Sequence, residues 1–274
     1  MIKIRNKGRN RKDMLFVIDV GNTNIKLGVW SKDKLVASWR IKTEQKNTAD
    51  EYMLKVDALL RRDGLEVKDI TGVIMSSVIP SLNYTLEHMC EYEFGMKPMI
   101  VGPGIKTSLN IKYDNPREVG SDRIVNSVAA YKLYGGPCIV IDFGTTTTFN
   151  AVSEKGEFLG GAIAPGIKAS VDAMINNAAR LPRIELFKPE KVIGKNTVSN
   201  MQSGVIFGFT GMVKYIVQQM KKELKDPNAK VIATGGMSQL VFSEERIFDV
   251  TDRTLTLRGL KMIYDYNIGS EQSV

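Results

Sequence analysis

Apolar residues recur along this chain at two spacings, and the switches between them predict its elements. Leu15-Phe16-Val17-Ile18 is an unbroken apolar run rich in β-branched and aromatic residues, the mark of a buried strand. Residues 25–30 and 34–41 alternate, as strands do. From Thr48 to Arg62 the apolar positions Tyr52, Val56, Leu59 and Leu60 fall at helical spacing, and Thr48 with Glu51 three residues on forms a capping box. Residues 70–78 read as a strand ending in Ser76-Ser77, Pro80 opens a helix through Phe94, and 99–101 is a short strand closed by Gly102-Pro103-Gly104. The first half therefore runs β-β-β-α-β-α-β.

Residues 105–120 carry no strong periodicity and hold Pro116. A second series follows: a helix over 122–133, strands over 138–141 and 149–153, a turn at Gly156 and a strand over 158–164. Pro165-Gly166 leads into a helix over 167–179, and 201–224 is a long helix with Val205, Phe209, Val213, Ile216, Met220 and Leu224 on one face. Glycines 204, 208 and 211 near that face leave room for close packing, as against a second subunit. A strand over 231–234 and a closing helix over 255–266 complete the series. No Ser/Pro/Gly-rich linker separates the halves, so the expected division is a tail over 1–13, an N-terminal lobe over 14–120 and a C-terminal lobe over 121–274.

Composition narrows the chemistry. The 274 residues suffice for two modest cores, and no apolar run approaches the length of a membrane span or of a signal peptide's hydrophobic segment, which predicts a cytoplasmic protein with no membrane partner. The net charge of +8 is concentrated in residues 1–13, where Lys3, Arg5, Lys7, Arg9, Arg11 and Lys12 face only Asp13. The body is only mildly basic, so nucleic acid is not the expected partner. Cys90 and Cys138 form no CxxC pair, and His88 is the only histidine, which excludes a Cys/His zinc cluster. The chemistry must run on carboxylates.

Two stretches supply them. Asp19-Val20-Gly21-Asn22-Thr23-Asn24-Ile25-Lys26 follows the first buried strand, and Asp142-Phe143-Gly144-Thr145-Thr146-Thr147-Thr148 follows the strand that begins at Cys138. Either one alone reads as an ordinary hairpin turn. Repeated behind equivalent strands, each reads as a phosphate grip: glycine permits the turn, small polar side chains offer donors, and the aspartate can order water around a Mg²⁺. Thr234-Gly235-Gly236 ends a later strand and allows a flat ligand to approach closely. No GxGxxG follows a strand, and Gly194-Lys195-Asn196-Thr197 lacks the earlier glycine and the hydroxyl residue that a P-loop needs. Within the connecting loop, Gly120-Ser121-Asp122-Arg123 offers a carboxylate that can accept a hydroxyl proton and a guanidinium that can hold an anion. Read locally, Ser121 or Asp122 is a helix cap.

Two Asp-x-Gly loops followed by a Gly-Gly loop resemble the acetate and sugar kinase, Hsp70 and actin superfamily. That resemblance implies an α/β fold of two duplicated ribonuclease H-like lobes around a nucleotide cleft. Five blocks in order resemble the type III pantothenate kinases more narrowly: Asp19 to Asn24, Tyr113-Asp-Asn-Pro-Arg with Gly120 to Arg123, Asp142-Phe-Gly-Thr145, Gly160-Gly-Ala-Ile-Ala-Pro-Gly166 and Gly194-Lys-Asn-Thr197. The resemblance implies that Asp19, Val20, Gly21, Asn22, Thr23, Asn24, Ile25, Lys26 and Thr145 contact ATP. It implies that Tyr113, Gly120, Ser121, Asp122, Arg123 and Thr197 contact pantothenate, with Asp122 the general base. Asp142 is implied to hold a monovalent cation, K⁺ or NH₄⁺, alongside the Mg²⁺ of the nucleotide, and the assembly is implied to be a homodimer. The chain departs from the family pattern at Asn150, where Asp is usual, at Thr146, where Ala is usual, and in its basic tail. The alternatives are a kinase of the same fold for another small hydroxylated acceptor, and a regulatory accessory protein in transcription.

Overall fold

The computed structural model describes residues 13–238 and 247–271. The expected basic tail lies outside the described residues, apart from Asp13. The described chain forms two compact units.

The first unit contains the described residues up to Lys106, Gly120–Asp122 and residues 260–271. Its sheet has the order β3-β2-β1-β4-β5, built from β1 (Met14–Val20), β2 (Asn24–Ser31), β3 (Lys34–Lys42), β4 (Ile70–Ser77) and β5 (Met99–Ile100). Every residue of β1 is buried, as its apolar run demands. β2 and β3 continue from it as an antiparallel meander, while β4 lies parallel to β1 on the other side. The connection from β3 to β4 is α1 (Ala49–Arg62), whose first turn carries the predicted capping box, and that from β4 to β5 is α2 (Pro80–Phe94). Tyr52, Val56 and Leu60 from α1 and Leu82, Leu86 and Met89 from α2 close over Phe16, Ile18 and Leu27 to make this unit's core.

The second unit, Thr107–Val119 with Arg123–Gly259, repeats the pattern. Its strands are β6 (Asn110–Ile111), β7 (Cys138–Phe143), β8 (Thr146–Val152), β9 (Glu157–Pro165), β10 (Lys230–Thr234) and β11 (Val250–Thr251), in the order β11-β10-β7-β8-β9-β6. β7, β8 and β9 form an antiparallel meander and β10 lies parallel to β7, so β7 occupies the place of β1 and β10 that of β4. This is the duplicated α/β arrangement implied by the sequence. The remaining helices are α3 (Ser121–Tyr134), which belongs to this unit from Arg123 on, α4 (Ile167–Asn177), α5 (Thr197–Glu223) and α6 (Leu255–Glu271), which belongs to the first unit from Leu260 on. Ile139, Ile141 and Phe149 from the sheet pack with Ile206, Val213 and Val217 from α5.

The chain crosses between units four times, where the sequence suggested one boundary after Gly120. Two pairings account for three of these crossings. β6, inside the segment without periodicity, pairs with β9, and Ser121 is hydrogen-bonded to Ser77 at the end of β4. Among the described residues, no helix is long and apolar enough to cross a membrane.

Candidate active site

In the first unit, strand register assembles the site before any ligand is considered. Asp19 on β1 is paired across the sheet with Lys26 on β2 and with Ser76 on β4, so the three side chains share one face. Asp19 is 5% exposed; it accepts a hydrogen bond from Ser76 Oγ at 2.7 Å and meets Lys26 Nζ at 3.2 Å. The turn beyond it is closed by the Gly21 amide, which donates to the Asn24 carbonyl at 3.1 Å. A Cβ at Gly21 would stand 3.0 Å from that same oxygen, which is why the position is glycine. Thr43 braces the turn from outside, its hydroxyl donating to Gly21 O at 2.7 Å and its amide to Thr23 O at 3.1 Å. Asn22 and Thr23 are exposed at the tip and Asn24 is half-buried. Val20 and Ile25 are core residues, so only their backbone groups are available to a ligand.

The same unit holds the proposed base. Ser121 Oγ donates to Ser77 O at 3.0 Å and accepts from Ser77 N at 3.1 Å, fixing the first turn of α3 to the end of β4. The hydroxyl that could have served as a simple helix cap is spent on that anchor. At Gly120 a Cβ would lie 2.6 Å from Asp122 Oδ1, so glycine gives this half-buried carboxylate its room.

In the second unit, Asp142 on β7 takes the place of Asp19, paired in register with Thr148 on β8 and Thr234 on β10. The Gly144 amide donates to Thr146 O at 3.1 Å, the closure that Gly21 makes in the first loop. Two more glycines press against this turn. A Cβ at Gly166 would come within 2.3 Å of Thr145 O, and one at Gly235, whose φ is +95°, within 2.6 Å of both Asp142 Oδ1 and Phe143 N. Thr145 is exposed at the tip. Asn126 on α3 donates to Asp142 Oδ2 at 3.0 Å, and the Oδ1 of Asn126 and the Oγ1 of Thr234 are buried without a hydrogen-bond partner. A carboxylate with two such oxygens nearby suits a hard cation.

Arg123, 6% exposed, is the other charged group of this unit's site. Its Nε donates to Asn150 Oδ1 at 2.6 Å, and its guanidinium carbon lies 5.4 Å from the Phe158 ring centre and 5.9 Å from that of Tyr113. The structure therefore brings together Tyr113 and Arg123. Thr197 stands apart from them in sequence, exposed on the first turn of α5. Gly194-Lys195-Asn196-Thr197 proves to be a helix start: Asn196 Oδ1 accepts from Ser199 N at 2.9 Å as the cap of α5.

Other candidates fall away. His88 is exposed on α2 and stacks between Tyr84 and Tyr92, with ring centres at 6.2 and 6.0 Å. Burial pushes the Cys90 and Cys138 thiols up to about 12, so neither supplies a thiolate near neutrality. A cavity of about 580 Å³ lies beside Met237, lined by Lys168, Asp172, Arg183 and Ile184 among others. Sequence reading missed Ser76, Asn126 and Phe158 as site members. Only Ser76, a hydroxyl closing an apolar strand, carried a local signal.

The family model described as type III pantothenate kinase matches residues 15–219, a span that takes in both Asp-x-Gly loops, Asp122, Arg123 and Thr197. The chain belongs to the type III pantothenate kinase family. A relative of that description from Geobacillus sp. (strain WCH70) is 53% identical over 259 residues, 94% of this chain and all of the relative. Another, from Geobacillus kaustophilus (strain HTA426), is 55% identical over 254 residues, 93% of this chain and 98% of the relative. Among solved structures, one described as a Baf family transcriptional activator from Campylobacter jejuni aligns with a TM-score of 0.59 at 20% identity, covering 93% of this chain and 99% of that one. MreB 5 of Spiroplasma citri bound to AMPPNP aligns at 0.55 with 10% identity, covering 96% and 99%. At these identities the solved structures establish the fold, two α/β lobes of the actin, Hsp70 and sugar-kinase superfamily.

Proposed function

We propose that this kinase moves the γ-phosphoryl of ATP to the primary hydroxyl of pantothenate with Asp122 as the base, the two Asp-x-Gly loops holding the nucleotide's phosphates. Family membership supplies the reaction, ATP-dependent phosphorylation of pantothenate to 4'-phosphopantothenate, the first step of coenzyme A biosynthesis. The observation that carries the division of labour is the repeated turn. Gly21 and Gly144 close equivalent hairpins behind Asp19 and Asp142, each leaving small polar residues exposed at the tip.

Phosphoryl transfer of this kind is mostly positioning and charge compensation. Asp19, fixed by Ser76 and Lys26, would order water around a Mg²⁺ accompanying the nucleotide, while Asn22, Thr23 and Thr145 offer donors to phosphate oxygens. Asp122 accepts the acceptor's hydroxyl proton as the oxygen attacks phosphorus. Arg123, between Tyr113 and Phe158, holds an anion of the reactants. Asp142, Asn126 Oδ1 and Thr234 Oγ1 would hold a monovalent cation, which adds fixed positive charge beside the phosphates when bound. The cavity beside Met237, next to the Gly235-Gly236 turn, would take the nucleoside.

We further propose a homodimer, for which the second unit offers an apolar surface. Ile163, Phe187, Val192 and Ile193 are exposed, and so are Gly204, Gly208 and Gly211 on α5. Both cysteines are free, which fits the reducing cytoplasm.

The deciding measurement is ATP-dependent phosphorylation of pantothenate by the purified protein with Mg²⁺, in K⁺ and again with Na⁺ in its place. Turnover that requires K⁺ is expected. A folded protein that binds ATP yet phosphorylates pantothenate under neither condition would sink this reading.

A further inference from the structure

The last two residues of β4 send their polar groups in different directions. Ser76 points its hydroxyl at Asp19, donating to Oδ1 at 2.7 Å. Ser77 turns its own hydroxyl to the exit from the strand, donating to Ile79 O at 3.3 Å and accepting from Ile79 N at 3.1 Å. That leaves the Ser77 backbone. Along a strand, successive residues direct their N–H and C=O groups to opposite sides. Val78 N donates to Val20 O, toward β1, and Val101 N donates to Met75 O, toward β5, so Ser77 faces the β5 side. β5 pairs Met99 with Ile74 and Ile100 with Met75, and it has ended before it reaches Ser77.

Ser121 supplies the partner that β5 does not. Its Oγ accepts from Ser77 N at 3.1 Å and donates to Ser77 O at 3.0 Å, and the residue is 9% exposed. A hydroxyl does both through one small atom, and it satisfies two backbone groups that burial would otherwise leave unpaired. The same bonds limit what else Ser121 can do. A hydroxyl has a single proton, and this one is given to Ser77 O. Likeness to the family implies that Ser121 contacts pantothenate, but a hydrogen bond donated to pantothenate by this hydroxyl would break the anchor.

Asp122 is the next residue, and Gly120 before the anchor leaves its Oδ1 the space that a Cβ 2.6 Å away would take. Ser76 and Ser77, about 3.8 Å apart at Cα, therefore hold Asp19 by a side chain and the turn bearing Asp122 by a backbone. All of these residues lie in the first unit, Gly120–Asp122 included.

We propose that Ser121 is a positioning residue: it ties the turn carrying Asp122 to the strand end that also holds Asp19, and so sets where the base stands relative to the nucleotide's phosphates. The proposal rests on the reading of Asp122 as the base. A base displaced by about 1 Å leaves both substrates bound but misaligned for transfer, so the loss falls on kcat.

The test measures kcat, and KM for ATP and pantothenate, in wild type, Ser121→Ala, Ser121→Thr, Asp122→Asn and the double variant Ser121→Ala with Asp122→Asn, each with a thermal melt. Asp122→Asn is read first, since full activity there would remove the base reading and the proposal with it. With Asp122→Asn impaired, Ser121→Ala is expected to lower kcat about 10- to 100-fold with both KM values within about twofold. Ser121→Thr keeps the oxygen and is expected to stay within about threefold of wild type. In the Asp122→Asn background, Ser121→Ala is expected to lower kcat by less than about twofold more, because a residue that acts through the base then has nothing to position.

Three results overturn the proposal alone. KM for pantothenate raised about tenfold with kcat unchanged would make Ser121 a substrate contact. A lower melt with unchanged kinetics would make its role structural. A kcat loss that recurs in full in the Asp122→Asn background would make it independent of the base. Should Ser121→Ala not fold, Ser121→Cys replaces it in both backgrounds, since sulfur keeps the shape but is a weak donor and acceptor. Ser121→Cys is expected to lose about tenfold in kcat where Ser121→Thr does not, and equal values for the two overturn the proposal.

Discussion

Asp122 owes its reach to the residue two before it. A side chain at Gly120 would press on the carboxylate, since a Cβ there lies 2.6 Å from Oδ1, while the two hydrogen bonds between Ser121 and Ser77 fix the turn that carries it. Replacement of Asp122 by Asn keeps the shape and removes the proposed proton acceptor. We expect kcat for pantothenate to fall about 10²- to 10⁴-fold with KM for ATP unchanged, as steady-state kinetics would read. Full activity in that variant would reassign the base. This residue was legible in the sequence only through the block that contains it, because a Ser-Asp pair opening a helix is otherwise a cap. Ser76, Asn126 and Thr234 were less legible still. Ser76 lies 57 positions from the Asp19 it touches, and the register of two parallel strands, not any local pattern, brings them together.

The hairpin is the element that carries the proposed phosphate site, and the second one is buttressed by a helix start. Gly166 precedes α4 with φ of −72°, a conformation open to any residue, so its constraint is contact alone. A Cβ there would come within 2.3 Å of Thr145 O and 2.7 Å of Gly144 O, and the turn would have to move. Gly166→Ala is therefore expected to raise KM for ATP about tenfold while costing roughly 1–3 kcal/mol of stability, measured by kinetics and by denaturant unfolding. A variant with wild-type KM for ATP would show that the position of Thr145 does not matter to the nucleotide. Long periodic elements such as α1, α2 and the buried strands were readable from spacing alone. The two-residue strands β6 and β11 were not, because so short a segment has no period and exists only through its partner. α5 begins at Thr197, four residues before its apolar face suggested, because its first turn is exposed and polar and its only signal was the Asn196–Ser199 cap.

At the scale of the molecule, the duplication was legible because Asp-x-Gly recurs behind equivalent strands, and the strand orders bear it out. The crossings of the chain between units were not, since they depend on where α6 and the 107–119 segment settle. The proposed homodimer would have a face to use on α5. Gly204, Gly208 and Gly211 follow helical spacing along one exposed face that continues to Tyr215, itself 64% exposed, and a Cβ at any of the three would meet nothing within 4 Å. Glycine inside a helix costs about 0.5–1 kcal/mol relative to alanine, so three of them on an open face are a burden that packing within the chain does not explain. A second copy lying close against that face would. Light scattering is expected to give twice the 30.5 kDa of the chain for the wild type, and Gly208→Leu is expected to shift it toward the monomer, lowering activity at dilute enzyme. A Gly208→Leu protein that stays dimeric and gains about 0.5–1 kcal/mol in unfolding experiments would place the interface elsewhere.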